Sequence, residues 1–189
     1  MLHRRTFLKW ATNLLGGLFG AVLGIPAIGY VLDPRNRPAP PGDFRRVGRV
    51  SELTENVPKA AVIRDLRFDA WTLHPNDVIG RVWLIRRPGM DADGQPTVDV
   101  YTTTCPHLGG SINFEEKSKC FVCPLHGATF DFQCHRVGDE ALGRANPAPR
   151  DMDSLKIQLV PDPTEDGDYF IEVKYESFMP GLPKKVNKV

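Results

Sequence analysis

Two short stretches of the chain carry cysteine and histidine at ligand spacing, and together they restrict what the chain can become more than any other feature. Cys105-Pro106-His107 is followed, fifteen residues after His107, by Cys123-Pro124-Leu125-His126, giving the pattern C-x-H then C-x-x-H. Two thiolates and two imidazoles on two short loops can hold either a tetrahedral Zn²⁺ or a [2Fe–2S] cluster with sulfur on one iron and nitrogen on the other. Either way the two loops must meet in space. Proline and glycine surround the ligands at Pro106, Gly109, Gly110, Pro124 and Gly127. Such residues bend backbone tightly and aim amide N–H groups at sulfur.

The sequence around these loops reads as short β runs: Ala61–Ile63, Gly80–Arg86, Thr97–Thr102, Leu155–Val160 and Tyr169–Tyr175. Apolar residues alternate within them and turn residues separate them. Asp91-Ala92-Asp93-Gly94 and Asp166-Gly167-Asp168 are hairpin signals. The class is all-β, and no long amphipathic helix is expected beyond the N-terminal segment. A chain of 189 residues supports one folded domain with an appendage, and 41% hydrophobic with 25% charged residues is an ordinary composition for such a domain.

The appendage is the N-terminus. Between Lys9 and Asp33 lie 23 uncharged residues, which as a helix span ~34 Å against a hydrocarbon core of ~30 Å. This predicts one transmembrane helix over residues 10–32. A cleaved signal is the alternative, but the run exceeds the usual apolar region of a signal peptide and Ala27-Ile28-Gly29 is a poor cleavage pattern. Arg4, Arg5 and Lys9 precede the helix, so residues 1–9 are expected in the cytoplasm and the remainder on the periplasmic side. The opening His3-Arg4-Arg5-Thr6-Phe7-Leu8-Lys9 resembles a twin-arginine export signal. Those three charges leave about −2 for the rest of a chain whose formal net charge is +1, so no basic nucleic-acid surface is implied. Residues 33–44, with Pro34, Pro38, Pro40 and Pro41, read as a semi-extended tether.

Taken together, the two ligand loops and the segment Asn146-Pro147-Ala148-Pro149-Arg150 resemble the Rieske family, and in particular its members in cytochrome bc complexes, over about the last three quarters of the chain. The resemblance implies a Rieske-type antiparallel β sandwich over residues 45–189 with a small cluster-binding subdomain at about 103–150. It implies one [2Fe–2S] cluster in place of zinc, with Cys105 and Cys123 on the inner iron and His107 and His126 on the outer one. It further implies that the two imidazoles take up a proton with the electron, that Leu108 and Pro147 shield the cluster, and that the partners are a cytochrome b subunit with its quinol and a c-type cytochrome. Export of a folded, cluster-loaded chain agrees with a twin-arginine signal.

Two departures from the family pattern bear on function. The disulfide that joins the ligand loops in bc-complex members is absent, its positions being Gly110 and Leu125. The serine and tyrosine that donate to cluster sulfur in higher-potential members are Ala128 and Phe130 here. Their loss predicts a potential in the lower part of the ~−150 to +300 mV Rieske range, which suits menaquinol. An oxidising compartment would favour a Cys120–Cys134 disulfide. However, a hairpin with Val122 opposite Thr129 sets Cys120 against Asp131 and leaves Cys134 ~10 Å further along, so a bond requires a turn after Phe132.

His74 and His135 read as surface histidines, and Trp71 and Trp83 as core or interface side chains. The expected function is the iron–sulfur subunit of a quinol–cytochrome c oxidoreductase, not catalytic alone. A membrane-tethered carrier for another exported oxidoreductase, such as an arsenite-oxidase-like molybdoenzyme, is the alternative. The chain has no room for the catalytic domain of a ring-hydroxylating oxygenase.

Overall fold

The computed structural model describes residues 3–36, 44–69 and 72–188. Its first element, α1 (Arg4–Asn36), starts on the His3 carbonyl, which accepts the N–H groups of Thr6 and Phe7 at 2.9 and 3.1 Å. Arg and Lys are good helix formers, so the helix begins at Arg4 rather than at residue 10. It also continues to Asn36, taking in the first part of the expected tether. Residues 37–43 of that tether, and Trp71, lie outside the described residues. Phe7, Trp10, Leu14, Leu18 and Phe19 are all more than half exposed, so α1 is apolar on every face and is long enough to cross a membrane.

The described residues fall into two compact units: α1 with the ends of β2 and β3 around residues 68–73, and the remaining β body. The body contains three antiparallel three-stranded sheets. The first has the order β1 (Phe44–Arg49), β9 (Tyr169–Lys174), β8 (Lys156–Pro161); the second runs β2 (Lys59–Asp69), β3 (Thr72–Met90), β4 (Pro96–Thr102). These two enclose the base core, to which Ile63, Val82, Leu84, Val100, Ile171 and Val173 contribute buried side chains. The third sheet, β5 (Asn113–Glu115), β6 (Cys120–Cys123), β7 (Ala128–Phe130), builds a smaller lobe with its own core.

Both expected hairpins are present. Asp91 Oδ1 accepts the N–H groups of Asp93 and Gln95 between β3 and β4, and Gly167 at φ +83° lies in the turn between β8 and β9. By contrast, β2 and β3 extend well past the short apolar runs that announced them. Their added length is mixed and largely exposed, and polar contacts join it: Arg64 donates to the Asn76 carbonyl at 3.1 Å and Arg67 pairs with Asp77 at 3.4 Å. Its apolar residues are few and mostly exposed, so they do not stand out as a strand beside the buried runs. Strand β1 is also new, and its arginines stack on β9, with Arg46 lying 3.6 Å over the Phe170 ring and bonding Glu172.

One strand serves both cores. Successive side chains of a strand point to opposite faces, so Val82 and Leu84 of β3 enter the base core while Trp83 and Ile85 enter the core of the smaller lobe. Trp83 is half-buried, donates Nε1–H to the Ile112 carbonyl at 3.1 Å and stands edge-on to Phe121.

Candidate metal centre

The first candidate ligand loop leaves the end of β4. Cys105 N–H donates to the Gly110 carbonyl at 2.7 Å and Gly109 N–H returns to the Cys105 carbonyl at 2.9 Å, closing residues 105–110 into a tight ring. Gly109 sits at φ +81°, a conformation that excludes most side chains. The second loop joins β6 to β7. Val122 pairs with Thr129 and Cys123 with Ala128, the register that the sequence suggested, and Gly127 N–H donates to the Cys123 carbonyl at 2.9 Å.

These loops bring the four candidate ligands together as two unlike pairs. Cys105 and Cys123 are 1% and 2% exposed, within the core of the smaller lobe. Burial pushes the Cys105 thiol up to about 11, the amides of His107 and Leu108 bonding its sulfur pull it back, and the adjacent Cys123 thiol adds to the rise. The imidazoles lie outward: His107 is half-buried, His126 is exposed, and their ring centroids are 5.0 Å apart at 83°. A buried thiol pair with amide donors at sulfur, beside a surface imidazole pair, fits a binuclear cluster that takes sulfur on one iron and nitrogen on the other.

Leu108 and Leu125, each 63% exposed, flank the imidazoles. In place of the missing inter-loop disulfide, Leu125 packs over Gly110: a Cβ at Gly110 would lie 2.5 Å from Leu125 Cδ1 and 3.0 Å from Cys123 Sγ. Ala128 and Phe130 on β7 are fully buried and carry no donor. The segment 146–149 is tied to β7 by Asn146, whose Nδ2 donates to the carbonyls of Thr129 and Val137 at 2.7 and 2.9 Å. Its Oδ1 accepts from the N–H of Thr129 and Ala148 at 3.3 and 3.2 Å. Pro147 is half-buried, and Ala148 packs in the same core as both cysteines.

Cys120 and Cys134, whose pairing the sequence leaves open, are free thiols in this structure. The chain does turn after Phe132, through Cys134 N–H to the Asp131 carbonyl, with Cys134 at φ +67°. That turn buries Cys134 near Tyr101, Arg87 and Asp99, whereas Cys120 is half-exposed and donates to the Ser118 carbonyl at 3.4 Å. His74 and His135 are exposed, the latter near Asp131.

Two arginines near the loops gave no signal in the sequence. Arg144 donates to the Gly127 carbonyl at 2.5 Å, where Thr129 Oγ1 also donates. Arg150 pairs with Asp153 and grips two carbonyls of the C-terminal segment. Arg144 reaches Gly127 across 17 residues and Arg150 reaches Met179 and Leu182 across 29 and 32, so no local pattern reveals these contacts.

Comparison with known proteins agrees with this geometry. The Rieske [2Fe–2S] domain model matches residues 46–156. The chain is 26% identical over 133 residues to the menaquinol:cytochrome c reductase iron-sulfur subunit of Bacillus subtilis, covering 69% of this chain and 74% of that protein. It is 24% identical over 160 residues to the cytochrome b6-f complex iron-sulfur subunit of Chlorobaculum thiosulfatiphilum, covering 82% and 71%. A solved quaternary ammonium Rieske monooxygenase is 16% identical with a TM-score of 0.40; the match covers 77% of this chain and about a third of that one, 33%. Buried thiols paired with surface imidazoles, and a family match spanning more than half of the chain, make this protein a member of the Rieske [2Fe–2S] domain family, with one [2Fe–2S] cluster as its cofactor.

Proposed function

We propose that the chain is the electron-transfer subunit of a quinol–cytochrome c oxidoreductase, taking one electron and a coupled proton from quinol, with menaquinol favoured, and passing the electron to a c-type haem. The observation that carries this reading is the outward imidazole pair, with His126 exposed, His107 half-buried and the apolar Leu108 and Leu125 beside them. Cys105 and Cys123 would hold one iron of the cluster and His107 and His126 the other. When bound, the cluster supplies a one-electron redox centre. The chain's own residues do the rest: the buried cysteines keep one edge of the site dry, the imidazoles offer nitrogen at the surface for a proton, and the two leucines give an apolar rim that suits a quinol ring.

In this reading α1 is an uncleaved anchor with its N-terminus in the cytoplasm, Arg4 and Arg5 belong to a twin-arginine export signal, and residues 45–189 work on the periplasmic side. The partners are a cytochrome b subunit and a c-type cytochrome. The test is EPR of the purified, reduced full-length chain, titrated at several pH values. A rhombic Rieske signal with a low, pH-dependent midpoint, abolished by His107→Ala and by His126→Ala in a chain that keeps its β circular dichroism, supports the assignment. No such signal, or zinc in place of iron, refutes it. Co-purification with cytochrome b distinguishes the complex subunit from a carrier serving another exported oxidoreductase.

A further inference from the structure

The C-terminal segment beyond the residues matched by the family model is folded against the first ligand loop. After β9, Phe178 enters the base core at 4% exposure and roots the segment. Met179 N–H then donates to the Val186 carbonyl at 2.8 Å and Lys188 N–H to the Ser177 carbonyl at 2.7 Å, making residues 177–188 a closed strap. Lys185 Nζ bonds the Ser154 carbonyl and lies 4.4 Å from the Phe178 ring centroid. At the tip of the strap, Gly181 N–H donates to the Pro106 carbonyl at 2.8 Å, between Cys105 and His107. Gly181 stands at φ +77°, and a Cβ there would lie 3.7 Å from the His107 carbonyl oxygen, so the strap backbone passes directly along the ligand loop.

A single guanidinium holds the strap at that height. Arg150 makes a two-pronged pair with Asp153, Nε to Oδ1 at 2.9 Å and Nη2 to Oδ2 at 2.8 Å, and the two side chains are 9% and 4% exposed. Two of its three remaining hydrogens go to the strap, Nη1 to the Leu182 carbonyl at 2.5 Å and Nη2 to the Met179 carbonyl at 3.1 Å, on either side of Gly181. A planar fork fixed by a buried carboxylate sets two carbonyls at defined positions, which a lysine cannot do. Pro106 is itself buried, and its carbonyl takes the Gly181 N–H as donor.

We propose that Arg150 and the strap form a brace on the Cys105-Pro106-His107 backbone, and that Arg150 is a positioning residue for the first imidazole. The brace rests on the assignment of Cys105 and His107 as cluster ligands. Its effect is on how long and how uniformly the loop holds its ligands in place.

The experiment compares full-length wild type with Arg150→Ala, Arg150→Lys and, as a control for general destabilisation, the base-core change Ile63→Val. Cluster loss to a chelator is followed by bleaching of the visible absorbance, and hydrogen exchange is followed at the Gly181 amide. The brace predicts cluster loss at least tenfold faster in Arg150→Ala, with Arg150→Lys resembling Arg150→Ala and Ile63→Val resembling wild type. It also predicts a protected Gly181 amide in wild type that becomes unprotected in both Arg150 variants. Wild-type rates in Arg150→Ala, full rescue by lysine, or a Gly181 amide that exchanges freely in wild type would overturn it. Should Arg150→Ala fail to fold, the lysine variant and the wild-type exchange decide the question. A wild-type chain that shows no Rieske signal overturns the ligand assignment and the brace with it, whereas a normal signal with unaffected variants overturns the brace alone.

Discussion

Gly110→Ala tests how the two ligand loops are packed without a disulfide. The added Cβ would stand 2.5 Å from Leu125 Cδ1, 3.1 Å from Leu125 Cγ and 3.0 Å from Cys123 Sγ. These neighbours resist differently. Leu125 is 63% exposed and its end can rotate into solvent, whereas Cys123 is 2% exposed and its sulfur is fixed by its place in the core. Overpacking against such a wall costs about 1–3 kcal/mol. In a domain of this size roughly 2–4 °C of melting temperature is lost per kcal/mol, so the midpoint should fall by about 2–12 °C. Leu125→Ala alone should cost well under ~1 kcal/mol, because little of its surface is removed from water. The double variant should recover less than half of the Gly110→Ala loss, since only the leucine contact is relieved. Thermal unfolding of the four proteins, read by absorbance and by circular dichroism, measures the cycle. Full recovery in the double variant would show that sulfur is not the rigid wall, and a neutral Gly110→Ala would show that the loops do not meet as described.

Three further outcomes are expected. Asn146→Ala leaves the buried N–H groups of Thr129 and Ala148 without their side-chain acceptor, whereas the Thr129 carbonyl keeps the Val137 N–H; at about 1–3 kcal/mol for each amide left unpaired, a loss of about 2–6 kcal/mol should appear in the urea midpoint with little change in slope. The Cys134 thiol is raised from 9.0 to about 12, mainly by burial. It therefore stays protonated in the folded chain where the unfolded chain ionises: stability is complete below pH 9 and falls as pH rises from 9 towards 12, by at most about 1.4 kcal/mol per pH unit. Cys134→Ala should flatten that decline, and Tyr101, also raised to about 12, should account for part of what remains; an unchanged slope would contradict the burial. Restoring a donor with Phe130→Tyr or Ala128→Ser should raise the reduction midpoint, by about 40 mV for each ~1 kcal/mol by which the new bond favours the reduced cluster, and a midpoint that drops would exclude a donor role for these positions.

The parts of the site legible in the sequence are those whose chemistry is local. Cys105, His107, Cys123 and His126 lie within two short windows, and the Val122–Thr129 register follows from counting outward from the Cys123–His126 loop. The hairpins at Asp91–Gly94 and Asp166–Asp168 were likewise announced by turn residues whose backbone preferences need no tertiary context. What escaped is held by distant polar contacts. The outer halves of β2 and β3 are joined through Arg64, Asn76, Arg67 and Asp77, residues that spell no hydrophobic period. Gly181 reaches Pro106 across 75 residues of chain, and Arg150 could be recognised as more than the end of a proline-rich segment only once Met179 and Leu182 were seen around it. The apolar run at the N-terminus was read as a helix, and the helix passes its limits at both ends, at the start through the helix formers Arg4, Arg5 and Lys9 and at the end through Asp33-Pro34-Arg35-Asn36, whose propensities do not account for it.

The alternation along β3 has a mechanical consequence. Because Val82 and Leu84 are set into one core and Trp83 and Ile85 into the other, no seam free of shared backbone runs between the lobe that carries the thiols and the base beneath it. Tilting one lobe against the other would require β3 to be pulled out of at least one close-packed interior, and such interiors do not deform continuously. The β body thus has no hinge at this junction. Displacing the lobe that carries the thiols therefore means displacing the base with it.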